Sequence, residues 1–262
     1  MVKRKKLILP ESCFEKIAIV VLARDEVHSL RETVKTLAKI CCAEDVEQII
    51  IYLAPHATKE CKAEAKMLEQ SVHKIRVNAV QQTAHGPGLG YFQKLFVNES
   101  KATHGLVMSA DLEIPLEIFV QMIAASKANP TALVSLSRWK KGGSFAGYPK
   151  WQLPLHFIFQ QLVRLLYLRY DCTDATAGYV SVPVNVFSML KLKELQQSIF
   201  LEYKLYMLYL GMPLIEIPAK YQSRQEGNST NSLLRKFSYF VTLFRVRFTP
   251  KEKLLEKGEG DG

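Results

Sequence analysis

The chain reads as an α/β protein with a mainly parallel central sheet flanked by helices. Three observations predict this. Short apolar runs rich in β-branched residues recur at Ile17–Leu22, Val46–Leu53, Lys74–Val80, Gly105–Met108 and Ala132–Leu136, with helical patterns between them. The first is continuous rather than alternating, which suits a strand buried on both faces. Asp25, Asp111 and Arg138 each stand just after one of these runs, and in open α/β sheets ligands sit beyond the carboxyl ends of the strands.

The elements follow in order. Ile17–Leu22 is the first strand, closed by the polar turn Arg24-Asp25-Glu26 and followed by a helix whose apolar positions are Leu30, Val34, Leu37 and Ile40. Val46–Leu53 is a second strand, Lys59–Ser71 a charged helix and Lys74–Val80 a third strand. The glycine-rich stretch His85-Gly86-Pro87-Gly88-Leu89-Gly90 opens a helix reaching about Glu99. Gly105–Met108 leads into Ser109-Ala110-Asp111-Leu112-Glu113, then a helix covers Glu117–Ser126 and a strand Ala132–Leu136. From Tyr148 the composition shifts to long aromatic-rich helices, Trp151–Tyr170 and Leu233–Phe248. In the latter, Leu233, Phe237, Phe240, Val241, Phe244 and Phe248 share a face flanked by Lys236, Arg245 and Arg247, with Arg235 opposite. Such a basic amphipathic helix suits a membrane interface, and equally a helix packed on a core with solvated cations.

With 262 residues the chain is long enough for a substantial core, as one large domain or two small ones. A formal charge of +10 predicts attraction to something acidic: nucleic acid, an anionic membrane or a phosphorylated substrate. Nucleic acid is the weakest of these, because the cations are not interleaved with an aromatic platform. Cys13, Cys41, Cys42, Cys61 and Cys172 lack zinc-like spacing and read as reduced thiols of a cytosolic protein. The basic start carries too few apolar residues for a signal peptide. No stretch reaches the roughly 18 apolar residues of a spanning helix; the nearest, Leu153–Leu168, is interrupted by His156, Gln160, Gln161 and Arg164.

Five constellations carry chemistry. In an extended segment Ser109, Asp111 and Glu113 project to one side, and two carboxylates with a hydroxyl suit a hard cation such as Mg²⁺ or Mn²⁺. A polar strand end would look the same. Gly86, Gly88 and Gly90 before a helix let an anion approach backbone N–H groups, or form a plain turn. Ser137-Arg138-Trp139-Lys140-Lys141-Gly142-Gly143 is a basic loop placed for phosphate contact or simply solvated. Asp174 is a turn former or a site carboxylate. Arg224–Ser229 is a polar connecting loop, able to close over an anion.

In this order and spacing, the five pieces resemble the family 2 glycosyltransferases of GT-A fold, most of all the polyprenyl-phosphate sugar transferases of the dolichol-phosphate mannose synthase group. The likeness runs over about residues 16–232. Asp25-Glu26 matches the family's Asn-Glu-like dipeptide, Ser109–Glu113 its Asp-Ala-Asp-Leu-Gln metal motif, and Ser137-Arg138-Trp139 with Gly142-Gly143 its Ser-Arg-Tyr and Gly-Gly loop. Asp174–Tyr179 matches Asp-x-Thr-Ser-Gly-Phe/Tyr, and Arg224, Gly227 and Ser229 match Arg-x-x-Gly-x-Ser. Ser109 stands where the family has an Asp, with Glu113 replacing Gln; Leu53–Thr58 has no carboxylate where an Asp holds the base; Thr230 stands where a Lys is common.

The resemblance implies a basic N-terminal segment (1–15), a glycosyltransferase domain (16–232), a basic interfacial helix (233–250) and a flexible tail (251–262). It implies inverting transfer from a nucleoside-diphosphate sugar to a polyprenyl phosphate, by a cytoplasmic protein peripherally attached to the inner face of a membrane and serving cell-envelope or glycan biosynthesis. Mg²⁺ or Mn²⁺ would be held by Asp111 and Glu113. Asp25, Glu26, Gly88, Gly90, Asp111, Arg224 and Ser229 would bind the donor. Asp174 and Arg138 would serve the reaction, with Glu202 the base candidate for a hydroxyl acceptor. A lipid phosphate, largely dianionic at neutral pH given a second pKa near about 6, needs no strong base. The alternatives are a glycosyltransferase for a soluble glycan or protein hydroxyl, and a non-catalytic binding protein that keeps the fold.

Overall fold

The structure, a computed structural model, describes residues 9–82, 95–96, 98–146, 148–223, 225–226 and 233–256. Its strands are β1 (Ile17–Ala23), β2 (Val46–Leu53), β3 (Arg76–Gln81), β4 (His104–Ser109), β5 (Leu133–Ser137), β6 (Ser144–Phe145), β7 (Val180–Pro183), β8 (Leu214–Pro218) and β9 (Lys220–Tyr221). Its helices are α1 (His28–Ile40), α2 (Lys59–Ser71), α3 (Glu117–Ala128), α4 (Leu153–Tyr167), α5 (Val184–Ser188), α6 (Ile199–Leu210) and α7 (Leu233–Phe248).

Among the described residues, seven strands make one sheet in the order β3-β2-β1-β4-β7-β5-β8, while β6 and β9 form a small parallel pair. The sheet is parallel except at β7, which runs antiparallel to both β4 and β5. The alternating side chains of β1 explain why its sequence shows no polar face. Ile17, Ile19 and Val21 enter one core with α1, α2 and α3; Ala18 and Val20 enter the other with α4, α6 and α7. Gly105 in β4 lets Phe96 lie against the strand, since a Cβ there would meet its ring at 2.6 Å.

Two helices differ from expectation. The Trp151–Tyr170 pattern divides into a short turn, Lys150–Gln152, and α4, which takes Pro154 in its first turn and stops at Leu168 in a left-handed conformation (φ 53°). In α7 the core face is Thr242, Leu243 and Val246, whereas Phe237, Val241, Phe244 and Phe248 point outward. After α7 the chain does not fray at Lys251: Lys251–Lys253 form a helical turn and Leu255 bridges to Leu190. Among the described residues, no helix is long and apolar enough to cross a membrane.

Candidate functional site

The carboxyl ends of β1, β2, β4 and β5 carry the residues singled out from sequence. After β4 the chain continues beside β1, with the Ala110 N–H donating to Leu22 O, and then turns at Leu112, whose φ of 52° lies in the left-handed region. That conformation costs a non-glycine residue about 1–3 kcal/mol and persists where surrounding contacts impose it. Here they do. Asp111 is fully buried, and its Oδ1 accepts from the Glu113 N–H and the Tyr179 hydroxyl, both at 3.3 Å. The backbone carbonyls of Asp111 and Glu113 accept from the N–H groups of Gln225 and Gln222. The chain after β9 therefore lies along this tip.

The β1 turn separates two acids that the sequence presents together. Glu26 is turned inward, its Oε2 accepting from the N–H groups of Arg24 (2.7 Å) and Asp25 (3.1 Å). The carboxylate closes its own turn through this oxygen. Asp25 pairs with Arg24 at 2.9 Å through Oδ2, while its Oδ1 is buried with no hydrogen-bond partner among the described residues. A buried acceptor left in that state is costly unless something donates to it. Glu226 arrives from the loop after β9 to cap α1, accepting from the N–H groups of Val27 and Ser29 and from the Ser29 hydroxyl. Among the described residues, the β2 end carries backbone groups, His56, Thr58, whose hydroxyl accepts from the Cys61 N–H, and the Gln81 amide, which donates to Ala54 O at 2.9 Å.

Across β4 the arrangement is denser. The β5 turn is shaped by its glycines: Gly142 has φ +99°, and a Cβ on Gly143 would fall 2.6 Å from Arg138 O. The turn folds Arg138 inward onto Asp174. Arg138 Nε donates to Asp174 Oδ2 at 2.7 Å, Nη2 to Oδ1 at 2.8 Å, and the Arg138 backbone N–H to Oδ2 at 3.1 Å. Phe145 and Tyr221, paired across β6 and β9, hold their rings 5.2 and 5.1 Å from the guanidinium. Burial alone would raise the Asp174 carboxyl; the charge and hydrogen bonds of Arg138 outweigh it and hold Asp174 well below the usual carboxylate range.

Four side chains that sequence reading did not assign to the site fix this pair. Lys204 on α6 is fully buried, and its ammonium donates to Ser135 Oγ, Asp174 O and Ala177 O at 2.7, 3.0 and 2.9 Å. Burial lowers its pKa. Glu216 on β8 accepts from the N–H groups of Thr173 and Asp174. His156 and Gln160 on α4 reach the same segment through Thr176 and Ala175. A lysine between apolar residues and an i, i+4 polar pair in an apolar helix were the available signals.

Other expected residues fall elsewhere. Glu202 is fully buried, and its carboxylate accepts from the N–H groups of Lys193 and Glu194 and from Arg245 of α7. It is a clamp between α6 and α7, which corrects its nomination as a base. Gly88, Gly90, Arg224 and Ser229 lie outside the described residues.

Among the described residues, no three His, Cys, Asp or Glu side chains gather as a metal cage. The oxygen donors of Asp111 and Glu113 still suit Mg²⁺ or Mn²⁺, because such ions commonly take one or two carboxylates and complete their shell with substrate phosphates and water.

No family model and no curated protein sequence matches the chain. Solved structures do. Glucosyl-3-phosphoglycerate synthase from Mycobacterium tuberculosis in complex with phosphoglyceric acid matches with a TM-score of 0.64 at 14% identity, over 90% of this chain and 81% of that one. The complex of that enzyme with Mn²⁺, UDP and glucosyl-3-phosphoglycerate gives a TM-score of 0.61 at 14% identity, over 90% and 81% of the two chains. The complex with Mg²⁺ and UDP gives 0.63 at 14% identity, over 90% and 80%. The fold is of the GT-A type. At this identity the likeness establishes architecture, and the chemistry rests on the residues of this chain.

Proposed function

We propose that the protein transfers a sugar from a nucleoside-diphosphate sugar to an acceptor that carries a phosphate. The observation that carries this reading is the placement, at the carboxyl edge of one GT-A-type sheet, of a carboxylate tip at Asp111 and Glu113 and the buried Arg138–Asp174 pair. Asp25, with its buried Oδ1, would receive a donor N–H or O–H from the nucleotide. Asp111 and Glu113 would hold Mg²⁺ or Mn²⁺, which when bound neutralises charge developing on the leaving diphosphate. Asp174 and Arg138 would orient the acceptor. Asp174 is held ionised by its partner, and so acts by position rather than as a titrating base.

Two sources of acceptor phosphate are weighed by different observations. The structural neighbours are bound to phosphoglyceric acid and glucosyl-3-phosphoglycerate, which favours a small soluble acceptor over the lipid implied by the sequence resemblance. A lipid-borne phosphate has one observation on its side: α7 exposes Phe237, Val241, Phe244 and Phe248, and α4 beside it exposes Leu155, Ile158 and Leu165. Neither helix contains an acidic residue, whereas together they contain Arg164, Arg235, Lys236, Arg245 and Arg247. Only the lipid source would call for peripheral attachment to a membrane face.

The test is calorimetry of UDP and other nucleoside diphosphates with and without Mn²⁺, on the wild type and Asp111→Asn. The same proteins are then assayed for transfer to phosphoglycerate, glycerol phosphate and a polyprenyl phosphate. Metal-dependent nucleotide binding that weakens by about 10-fold or more in the variant is expected. Unaltered binding in Asp111→Asn would remove the assignment.

A further inference from the structure

The polar side chains His156 and Gln160 lie one helical turn apart on α4, both directed at the 173–177 segment. Gln160 anchors it by accepting from the Ala175 N–H at 2.8 Å. His156 is different, because the group at its Nδ1 can only donate and so sets the tautomer of the neutral ring. The Trp139 indole N–H lies 2.9 Å from Nδ1, and an indole nitrogen can only donate. Nδ1 is therefore the bare nitrogen, and in the neutral ring the proton sits on Nε2. The two rings are inclined by 14°, with their centroids 5.7 Å apart.

At the other end, Nε2 lies 2.7 Å from Thr176 Oγ1, which lies 3.0 Å from Asp174 Oδ1. An ionised carboxylate only accepts, so the threonine hydroxyl donates to Asp174 and accepts from His156. Arg138 Nη2 (2.9 Å) and Gln160 Nε2 (3.2 Å) also point donors at that oxygen, leaving its own proton only the carboxylate. Along Trp139–His156–Thr176–Asp174 the indole donor at one end and the carboxylate at the other set the direction of the bonds, while Arg138 Nη2 and Gln160 Nε2 share the two lone pairs of Thr176 Oγ1 with His156 and also approach His156 Nε2 at 3.5 and 3.4 Å.

We infer that His156 is a positioning residue, locked in its Nε2–H tautomer, that sets the orientation of Asp174 and Arg138 through Thr176. This deepens the proposed function by naming what aligns the acceptor-side pair, and it rests on that reading. Charging the ring would put a proton on Nδ1, against the Trp139 N–H, and a second cation beside Arg138. Arg138, Asp174 (through Thr176) and the Tyr148 ring face it.

The lock is read directly by long-range ¹H–¹⁵N NMR of the full chain. At about pH 8 the wild-type ring is expected to show the neutral Nε2–H pattern, and Trp139→Phe a mixture of the two neutral tautomers. A wild-type ring in the Nδ1–H form, or a tautomer unchanged in Trp139→Phe, overturns the inference. Kinetics separate positioning from packing. His156→Gln keeps a donor for Thr176 and is expected within about 3-fold of wild-type kcat. His156→Asn keeps only an acceptor for Trp139 and is expected to lose about 10- to 100-fold in kcat. Equal losses in the two variants, tracking their Tm, overturn it as well. Because the NMR result needs no turnover, a wild type that neither binds nucleotide nor transfers sugar refutes the proposed function separately.

Discussion

At the carboxyl ends of β1 and β2 the described side chains are tied locally: Asp25 pairs with Arg24 and keeps Oδ1 buried with no hydrogen-bond partner among the described residues, Glu26 accepts from its own turn, Thr58 caps α2, and the Gln81 amide donates to Ala54 O. At the ends of β5 and β7, by contrast, Arg138, Asp174, Thr176, His156, Lys204 and Glu216 satisfy one another in a network closed by the β6–β9 pair. The difference separates two ways of building a site. The first side has an acceptor that a ligand can satisfy, so substitutions there bear on binding and little on folding. The second is satisfied among its own members save for the buried Tyr221 hydroxyl, so its geometry is enforced by the fold and damaging it costs stability and function together.

The largest effect should come from splitting the buried pair. Asp174→Asn leaves the Arg138 guanidinium buried without a counter-charge, and urea unfolding should show a loss of about 3–5 kcal/mol. Replacing both partners by apolar residues, Arg138→Met with Asp174→Leu, should recover much of that loss. Asp111→Asn keeps the Oδ1 acceptor used by Tyr179 and Glu113 and should cost under about 1 kcal/mol. If Asp111→Asn destabilises as much as Asp174→Asn, the contrast between the two sides fails.

Acid sharpens the same contrast at a smaller scale. The Asp174 carboxyl is depressed in the folded state, so its stabilisation is full above the unfolded pKa of about 3.9 and is lost as pH falls below it. Thermal melts should be flat with respect to this group above about pH 5 and decline below about pH 4. The slope should be shallower in the Arg138→Met, Asp174→Leu protein. An equal decline in both would assign the acid sensitivity to other carboxylates.

How much of this was legible in sequence follows from the same physics. Strands buried on both faces announce themselves, and the acids and Arg138 just past their ends could be found by position alone. The order of the motifs identified the architecture that the solved structures share. What escapes are groups whose role is to satisfy another group: in sequence His156 and Gln160 are interruptions of an apolar helix, and Lys204 is a cation among tyrosines with nothing to single it out. Their partners are brought close only by β7 and β8, whose pairings join residues far apart in the chain. Glu202 misled for the converse reason. A carboxylate in sequence carries no sign of being occupied, and here Arg245 and two N–H groups hold it.

The smallest effect on folding belongs to the outward face of α7, and it decides between the two acceptor sources. Phe244 and Phe248 are 41% and 73% exposed, stacked on each other at 6.4 Å. Thr242, Leu243 and Val246 on the opposite face do the packing. Phe244→Ser with Phe248→Ser should therefore leave stability within about 0.5 kcal/mol of wild type. A lipid surface would bury those rings, each contributing about 1.5–3 kcal/mol when fully withdrawn from water. Flotation with vesicles containing anionic lipid should then fall by about 10-fold or more in the variant and weaken with salt, because the flanking cations are screened. Transfer to a small phosphorylated acceptor in the same protein should be unchanged. If the wild type does not float with anionic vesicles at low salt, the aromatic face has no membrane role and the soluble acceptor stands.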